Sequence, residues 1–556
     1  MNYSFKHLIL AGMAMLAGTL AYAQVTTSSL SGRVTDEKGQ PALGAAVVAT
    51  HEPSGTVYGA VVNENGQYNI VGMRAGGPYK IEVSSVGYAS VVYKDVTIQL
   101  ADAYKLDAVL KESNEFLQEV VVVGTAKSKF SSEKTGAATN ISNAQMTALP
   151  TVSRSIEDVT RLSPYGGNGM SFAGTDGRTA NFTVDGANFN NNFGLNDGLP
   201  GGGNPISLDA IEELQVVISP YDVRQTNFIG GGVNAITKSG TNTFRGTAYV
   251  YHKNEYMRGD YVDGQAVSGA RDKDRNTIYG LTLGGPIIKN KLFFFVSAEM
   301  AKSPSVAVRW RASENGVGSD IKYLSYCSVA DMERVAEHVK TKYGYDPGSF
   351  TDFPADESNK KILVRLDWNI NEKNRLAVRY NYTNNIQWNA PNASSMDGGT
   401  RSAYGRTSLY SMAFSNSMYS INNLVHSVSV DLNSRINNNL SNQFLATFSK
   451  LDDVRGTNSS EFPFIDIQDG TGTNTQYMAL GLELFTHNNA VHNTVFNVKD
   501  DLVYYKGDHK LTMGLNYEYQ MADNAYMRNG TGYYRYASVD DFINGEAPEV
   551  VCLTYG

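Results

Sequence analysis

Apolar and polar residues alternate with a period of two through most of the second half of the chain. Ile362, Val364, Leu366 and Trp368 interleave with Leu363, Arg365, Asp367 and Asn369. Leu376, Val378, Tyr380 and Tyr382 interleave with Arg375, Ala377, Arg379 and Asn381. Leu511, Met513, Leu515, Tyr517, Tyr519 and Met521 do the same with Lys510, Thr512, Gly514, Asn516, Glu518 and Gln520. Such alternation puts one set of side chains on each face of a strand. About nine strands are predicted on this pattern, near 244–252, 276–287, 292–300, 361–370, 375–384, 422–434, 440–451, 493–505 and 510–521.

A soluble sheet with one wet face would show this alternation, and so would a transmembrane barrel with a polar lumen. The connections decide between them. Short turns at Ile288–Lys291, Asn371–Asn374, Ile436–Asn439 and Lys506–His509 alternate with long polar stretches near 253–275, 301–360, 385–421, 452–492 and from 522 onward. Short turns at one end and long loops at the other are the habit of outer-membrane barrels. An arginine facing lipid at the midplane costs ~2–4 kcal/mol, and Arg365, Arg375 and Arg379 all carry the parity of the polar face. The barrel reading follows. An odd number of strands leaves two edges unpaired in lipid, so a wall cut short at its C-terminal end is expected. A barrel wide enough to hold the preceding segment is of the plugged, 22-stranded kind.

Upstream the pattern changes twice. From Ser28 to Lys111 short strands are predicted at Leu30–Val34, Val47–Ala49, Tyr58–Val62, Tyr68–Ile70, Tyr79–Val83 and Val91–Leu100, with Asn65-Gly66 as a hairpin signal. Their spacing predicts a β-sandwich over 28–111. A mixed α+β segment follows over 125–240. Ser153 or Ser155 caps a short helix whose Ile156, Val159 and Leu162 share a face, with Pro164 beyond its end. Strands are predicted at Thr183-Val184 before the Asp185-Gly186 turn, at Ile211–Ile218, and within Gly230–Gly240.

Three features of the whole chain sharpen this picture. Lys6, the apolar run Leu8–Leu20 and Ala21-Tyr22-Ala23 make residues 1–23 an expected signal peptide cut before Gln24. No later apolar stretch is long enough for a membrane helix, which needs roughly 20 residues. A formal charge of −8 with no basic face disfavours nucleic acid as a partner. Cys327 and Cys552 lie far apart with no metal spacing, and whether they pair is open.

Several strings resemble known families. Gly32-Arg-Val-Thr-Asp36, Gly39–Val47, Asn65-Gly-Gln-Tyr68 and Ser85-Val-Gly-Tyr88 resemble the carboxypeptidase-regulatory-like domain, an appendage and not a peptidase. Its lone His51 is no zinc site. Ile211–Asp222 followed by Gly230–Gly240 resembles the end of the plug of TonB-dependent receptors, and His509–Glu518 is similar to their barrel strands. Arg178–Asn190 resembles the Oar-type branch more than the SusC-type glycan importers. The resemblance implies an outer-membrane transporter that imports a bulky ligand (peptide, glycan or chelate) through energised plug movement. Oar-type export or surface assembly, and a static adhesion protein, are the alternatives. It further implies a TonB partner, with the N-terminal domain and plug on the periplasmic side, and leaves a surface lipoprotein partner open.

The linker 112–124 holds the coupling candidate. Glu119, Val120, Val121, Val122 and Val123 form a short β-branched run suited to edge pairing with a partner strand. The same run also reads as the last strand of the sandwich or the first of the plug. Asn188, Asn190, Asn191, Asn192 and Asn196 are candidate ligand contacts if the plug apex faces outward; a plain closing loop is the alternative. His487 and His492 have the wrong spacing for a shared metal, and the pairs Asp452-Asp453, Asp500-Asp501 and Asp540-Asp541 aim their carboxylates apart. No catalytic set, cofactor or metal site is expected. Val329–Lys342 has helical spacing and is expected to decorate the long 301–360 loop.

Overall fold

The computed structural model describes residues 25–101, 103–113, 119–123, 137–149, 151, 154–190, 199, 204–219, 222, 224–225, 229–266, 274–304, 307–392, 405–473, 475–506 and 509–554; for 119–123, 178, 219 and 262 it describes the backbone alone. The expected signal peptide and Asn191, Asn192 and Asn196 lie outside the described residues.

The wall is a nine-stranded antiparallel meander in sequence order, from Arg245–Lys253 to His509–Ala525. All nine predicted strands are present. Lipid-side residues Ile362, Val364, Leu366 and Trp368 stand 36–42% exposed, while Leu363, Arg365 and Asp367 beside them are buried. Several strands outrun their sequence pattern at the long-loop end, reaching Asn389, Tyr419, Gly456 and Ala525. Beyond the lipid both faces are wet, so nothing there enforces alternation.

Inside the curve of this wall lies a five-stranded sheet, ordered Ala137–Ser142, Ile211–Ser219, Gly232–Thr237, Asn181–Val184, Ala187–Asn188. Its core of Phe182, Phe189, Ile211, Leu214 and Val233 extends outward to Phe295, Leu363, Val425 and Leu451 of the wall. Ser155 does cap the helix Ile156–Thr160, in a capping box with Asp158. That helix ends too early to bring Leu162 onto its apolar face, and Leu162 is exposed. Where this inner domain hands over to the wall, Gly240 passes close to two strands. A Cβ there would sit 2.3 Å from the Phe294 carbonyl oxygen and 2.7 Å from that of Gly285. Backbone cannot yield as a side chain can, so Gly240→Ala is expected to lower the yield of assembled, heat-modifiable protein on gels at least several-fold.

The N-terminal region packs two sheets around Leu30, Val34, Val47, Tyr68, Tyr79, Ile81 and Ile98. One holds Gln67–Met73, Ser28–Asp36, Ala103–Lys105 and Ala108–Leu110; the other runs Thr56–Val61, Ala46–His51, Gly76–Ser84, Ser90–Ile98, Glu119–Val123. Asn65-Gly66 is a turn, with Gly66 at φ +82, but not a simple hairpin. The strands it joins belong to opposite sheets, because Thr56–Val61 pairs with Ala46–His51 and Gln67–Met73 pairs with Ser28–Asp36. The module meets the short-turn end of the wall. Arg375 Nη2 donates to the Val57 carbonyl at 2.7 Å, Asn369 Nδ2 to Thr56 Oγ1 at 3.0 Å, and Arg435 to the Gly59 carbonyl.

At the opposite end the long loops build a module that the sequence reading missed. Met412–Ala413, Gln476–Leu480, Phe464–Gln468, Tyr533–Tyr536 and Val550–Cys552 form one sheet. The helix Val329–Tyr343 is no decoration: Met332, Val335 and Val339 are fully buried in this module's core with Cys327, Phe414 and Phe542. Cys327 is buried and Cys552 half-buried, the two are not joined to each other, and burial pushes the Cys327 thiol up from its ordinary value.

Candidate functional site

The inner domain is held in the wall by buried charge. Asp185, at the turn after Asn181–Val184, accepts from the Thr237 amide at 3.1 Å and from Thr237 Oγ1 at 2.7 Å. Its carboxylate faces two wall arginines, Arg379 Nε at 3.4 Å and Arg365 Nη1 at 3.8 Å. Arg365 also makes a two-point pair with Asp367, 2.8 Å at each contact, and donates to the Thr237 carbonyl at 2.6 Å. Arg379 Nη1 reaches Asp431 at 3.6 Å. Arg74 of the N-terminal module joins from below, 3.3 Å from Asp367 and 2.8 Å from Ser239 Oγ. The wall, the inner domain and the N-terminal module therefore meet in one network, which borders a cavity of about 200 Å³.

Further contacts of the same kind ring the inner domain. Ser207 donates to Glu299 at 2.8 Å, and Glu299 pairs with Lys361 at 2.7 Å. Thr383 Oγ1 donates to the Pro205 carbonyl at 2.5 Å. Glu213 accepts from the Leu100 amide at 3.0 Å and from Asn140 at 2.6 Å, tying the inner sheet to the N-terminal module. Burial raises the Glu212 carboxyl and lowers the Lys238 ammonium. Parity foresaw that Arg365 and Arg379 point inward; their partner Asp185, in the Val-Asp-Gly turn, was not foreseen.

His51 lies near this junction, 6% exposed, with Nδ1 2.7 Å from Ser54 Oγ. Burial, helped by the Arg74 charge, holds its pKa down at about 3 against an ordinary 6.5. The folded state thus refuses a proton that the unfolded chain accepts. Stability is full above the ordinary value and falls as pH drops through the window toward 3. The N-terminal module is expected to lose about 3 kcal/mol by pH 4.5. Urea midpoints measured against pH check this, and His51→Gln should flatten the slope.

The candidate coupling run, Glu119–Val123, is a strand paired in parallel with Ser90–Lys94. It is the outermost strand of its sheet, so its second edge has no strand partner among the described residues. Of the expected ligand contacts, Asn188 and Asn190 are among the described residues. Asn188 is 7% exposed, and the Asn190 side chain accepts from the Phe182 amide and donates to Asn181, both at 2.7 Å. The histidines go separate ways, His492 to Asp452 at 2.7 Å and His487 to Glu461 at 4.0 Å. Asp452 and Asp453 point apart as expected, Asp453 accepting from Asn423.

Two family descriptions match the chain. Residues 29–111 match the carboxypeptidase regulatory-like domain, and residues 236–309 and 336–548 match the outer membrane beta barrel domain. Among curated proteins, the chain is 23% identical over 394 residues to the TonB-dependent transporter Oar of Myxococcus xanthus, covering 67% of this chain and 35% of the relative. Among solved structures, the outer membrane transporter YddB from Escherichia coli aligns with a TM-score of 0.49 at 12% identity, over 75% of this chain and 51% of that one. The siderophore receptor PirA from Acinetobacter baumannii aligns at 0.41 and 14% identity, over 69% and 48%. The chain thus spans about a third of its curated relative and about half of these structures.

Proposed function

This chain belongs to the outer membrane beta barrel domain family, and on that premise we propose that it works as a TonB-dependent transporter whose inner domain is a movable plug. The observation that carries this reading is the chemistry of the plug–wall contact. Besides its apolar contacts with Phe295, Leu363, Val425 and Leu451, the inner domain meets the wall through buried ion pairs of Asp185 with Arg365 and Arg379 and through the hydrogen bond from Arg365 to the Thr237 carbonyl. When the inner domain moves and water enters, both partners of such contacts are solvated together, and they re-form with the same geometry on return. The cargo is bulky, of the peptide, glycan or chelate class. The alternative is the same architecture working outward, for export or surface assembly.

In this reading the inner-membrane partner TonB grips Glu119–Val123. A five-residue strand with four valines, and with no strand partner on its second edge among the described residues, suits β-augmentation, in which main-chain hydrogen bonds give the affinity. Proline removes a donor and breaks the ladder. Purified protein carrying Val121→Pro and Val123→Pro is expected to bind the TonB C-terminal domain at least 30-fold more weakly than the unsubstituted chain. Equal binding would place the grip elsewhere. No binding by either form would favour the static adhesion protein.

A further inference from the structure

We propose that residues 25–28 are a bolt between plug and wall, and that the N-terminal domain is the handle that draws it. Val25 and Thr26 are 3% and 7% exposed. Asn234, on the plug strand Gly232–Thr237, donates to the Val25 carbonyl at 2.7 Å. The Thr26 hydroxyl donates to Asp431 at 2.8 Å and accepts from Gln443 Nε2 at 2.7 Å. Asp431 and Gln443 sit on adjacent wall strands and are themselves 3.1 Å apart. Plug and wall are thus joined through one hydroxyl and one peptide carbonyl of the same short segment.

The seat is closely fitted. A Cβ on Gly186, in the plug turn that carries Asp185, would lie 2.6 Å from Leu445 of the wall and 3.2 Å from the Thr26 methyl. Asp431 is also one of the two carboxylates that Arg379 faces, so the bolt borders the charged junction.

The bolt runs without a loop into Ser28–Asp36, which pairs on both sides within its sheet, and Ser28 Oγ holds the Gln99 carbonyl at 2.6 Å. Glu119–Val123 lies in the facing sheet of the same sandwich. Tension applied there reaches the bolt through the sandwich core. A hydrogen bond is lost within about 1 Å of travel, so the bolt releases with the first movement of the domain. The handle rests on the TonB reading of Glu119–Val123; the bolt does not.

Hydrogen exchange on the purified full chain tests the bolt. Deleting residues 24–27, or substituting Thr26→Val, is expected to speed amide exchange in Gly232–Thr237 about tenfold, with Ala46–His51 unchanged and Thr26→Ser restoring protection. Unchanged exchange in Gly232–Thr237 would overturn the bolt. The handle is tested by pulling single molecules through bound TonB C-terminal domain. A Thr26→Cys, Gln443→Cys pair in a Cys327→Ser, Cys552→Ser background is oxidised or reduced before each pull. Reduced molecules should extend as the plug yields, and oxidised ones should rupture from TonB without plug extension. Identical traces would overturn the handle. Failure of TonB to attach at all would remove the reading of Glu119–Val123 and the handle with it, leaving the bolt to the exchange result.

Discussion

Asp185→Ala is expected to cost the seated plug about 3–5 kcal/mol, the penalty for removing one partner of a buried charge cluster. Asp185 is 2% exposed and is the plug's own carboxylate at the junction. Without it the Arg365 and Arg379 guanidinium groups confront each other across the cavity with Asp367 and Asp431 as their remaining anions. The Thr237 amide and hydroxyl lose their acceptor at the same time. Asp185→Asn keeps an acceptor for Thr237 but not the charge, and should fall between alanine and the unsubstituted chain. Denaturant-dependent exchange of Asn181–Val184 reads the loss directly. An effect below about 1 kcal/mol would mean that water in the cavity replaces the carboxylate.

The second large effect is expected at the opposite end. Asp466, fully buried in the outer module, holds Arg406 through two contacts of 2.9 and 2.7 Å. It also accepts from Gln476 at 2.8 Å and from Tyr533 at 3.0 Å. Arg406 lies over the Phe464 ring, 4.9 Å from its centroid, and is 2% exposed. Asp466→Ala removes that cation's carboxylate while the Asn392 carbonyl still accepts from it, and is expected to destabilise the outer module by about 3–5 kcal/mol. The loops should then be cut by added protease within minutes, while the wall strands stay protected. Survival of the loops would show that Arg406 finds another counter-charge.

The wall was legible in the sequence because lipid imposes the same rule on each strand, apolar out and polar in. Ile362–Trp368 and Leu376–Tyr382 could obey it only as strands. Where lipid stops, the rule stops, and the tips at Asn389 and Gly456 were invisible. The outer module was illegible for a different reason. Ile465, Ile467, Met478, Val335 and Phe542 come from loops that lie far apart along the chain, so no local window shows their shared core. The same holds for the junction. Parity pointed Arg365 and Arg379 inward, but nothing local to Asp185 says that these two face it. Of the asparagines whose composition suggested a binding surface, Asn190 bonds the Phe182 amide and Asn181 within the inner sheet, and Asn188 accepts from the Asn190 amide. The run Glu119–Val123 was legible as a strand, and its pairing with Ser90–Lys94 was one of the readings the sequence left open.

Energised movement of the plug is the central claim, and one labelling experiment tests it most directly. Thr183, 3% exposed on a plug strand, is close in size to cysteine. A Thr183→Cys chain in a Cys327→Ser, Cys552→Ser background is treated with a membrane-impermeant maleimide in whole cells. Rapid labelling in energised cells, reduced at least tenfold in cells lacking TonB or treated with an uncoupler, is the result expected of a plug that is pulled. Equal labelling under all three conditions would contradict it and leave a static barrel.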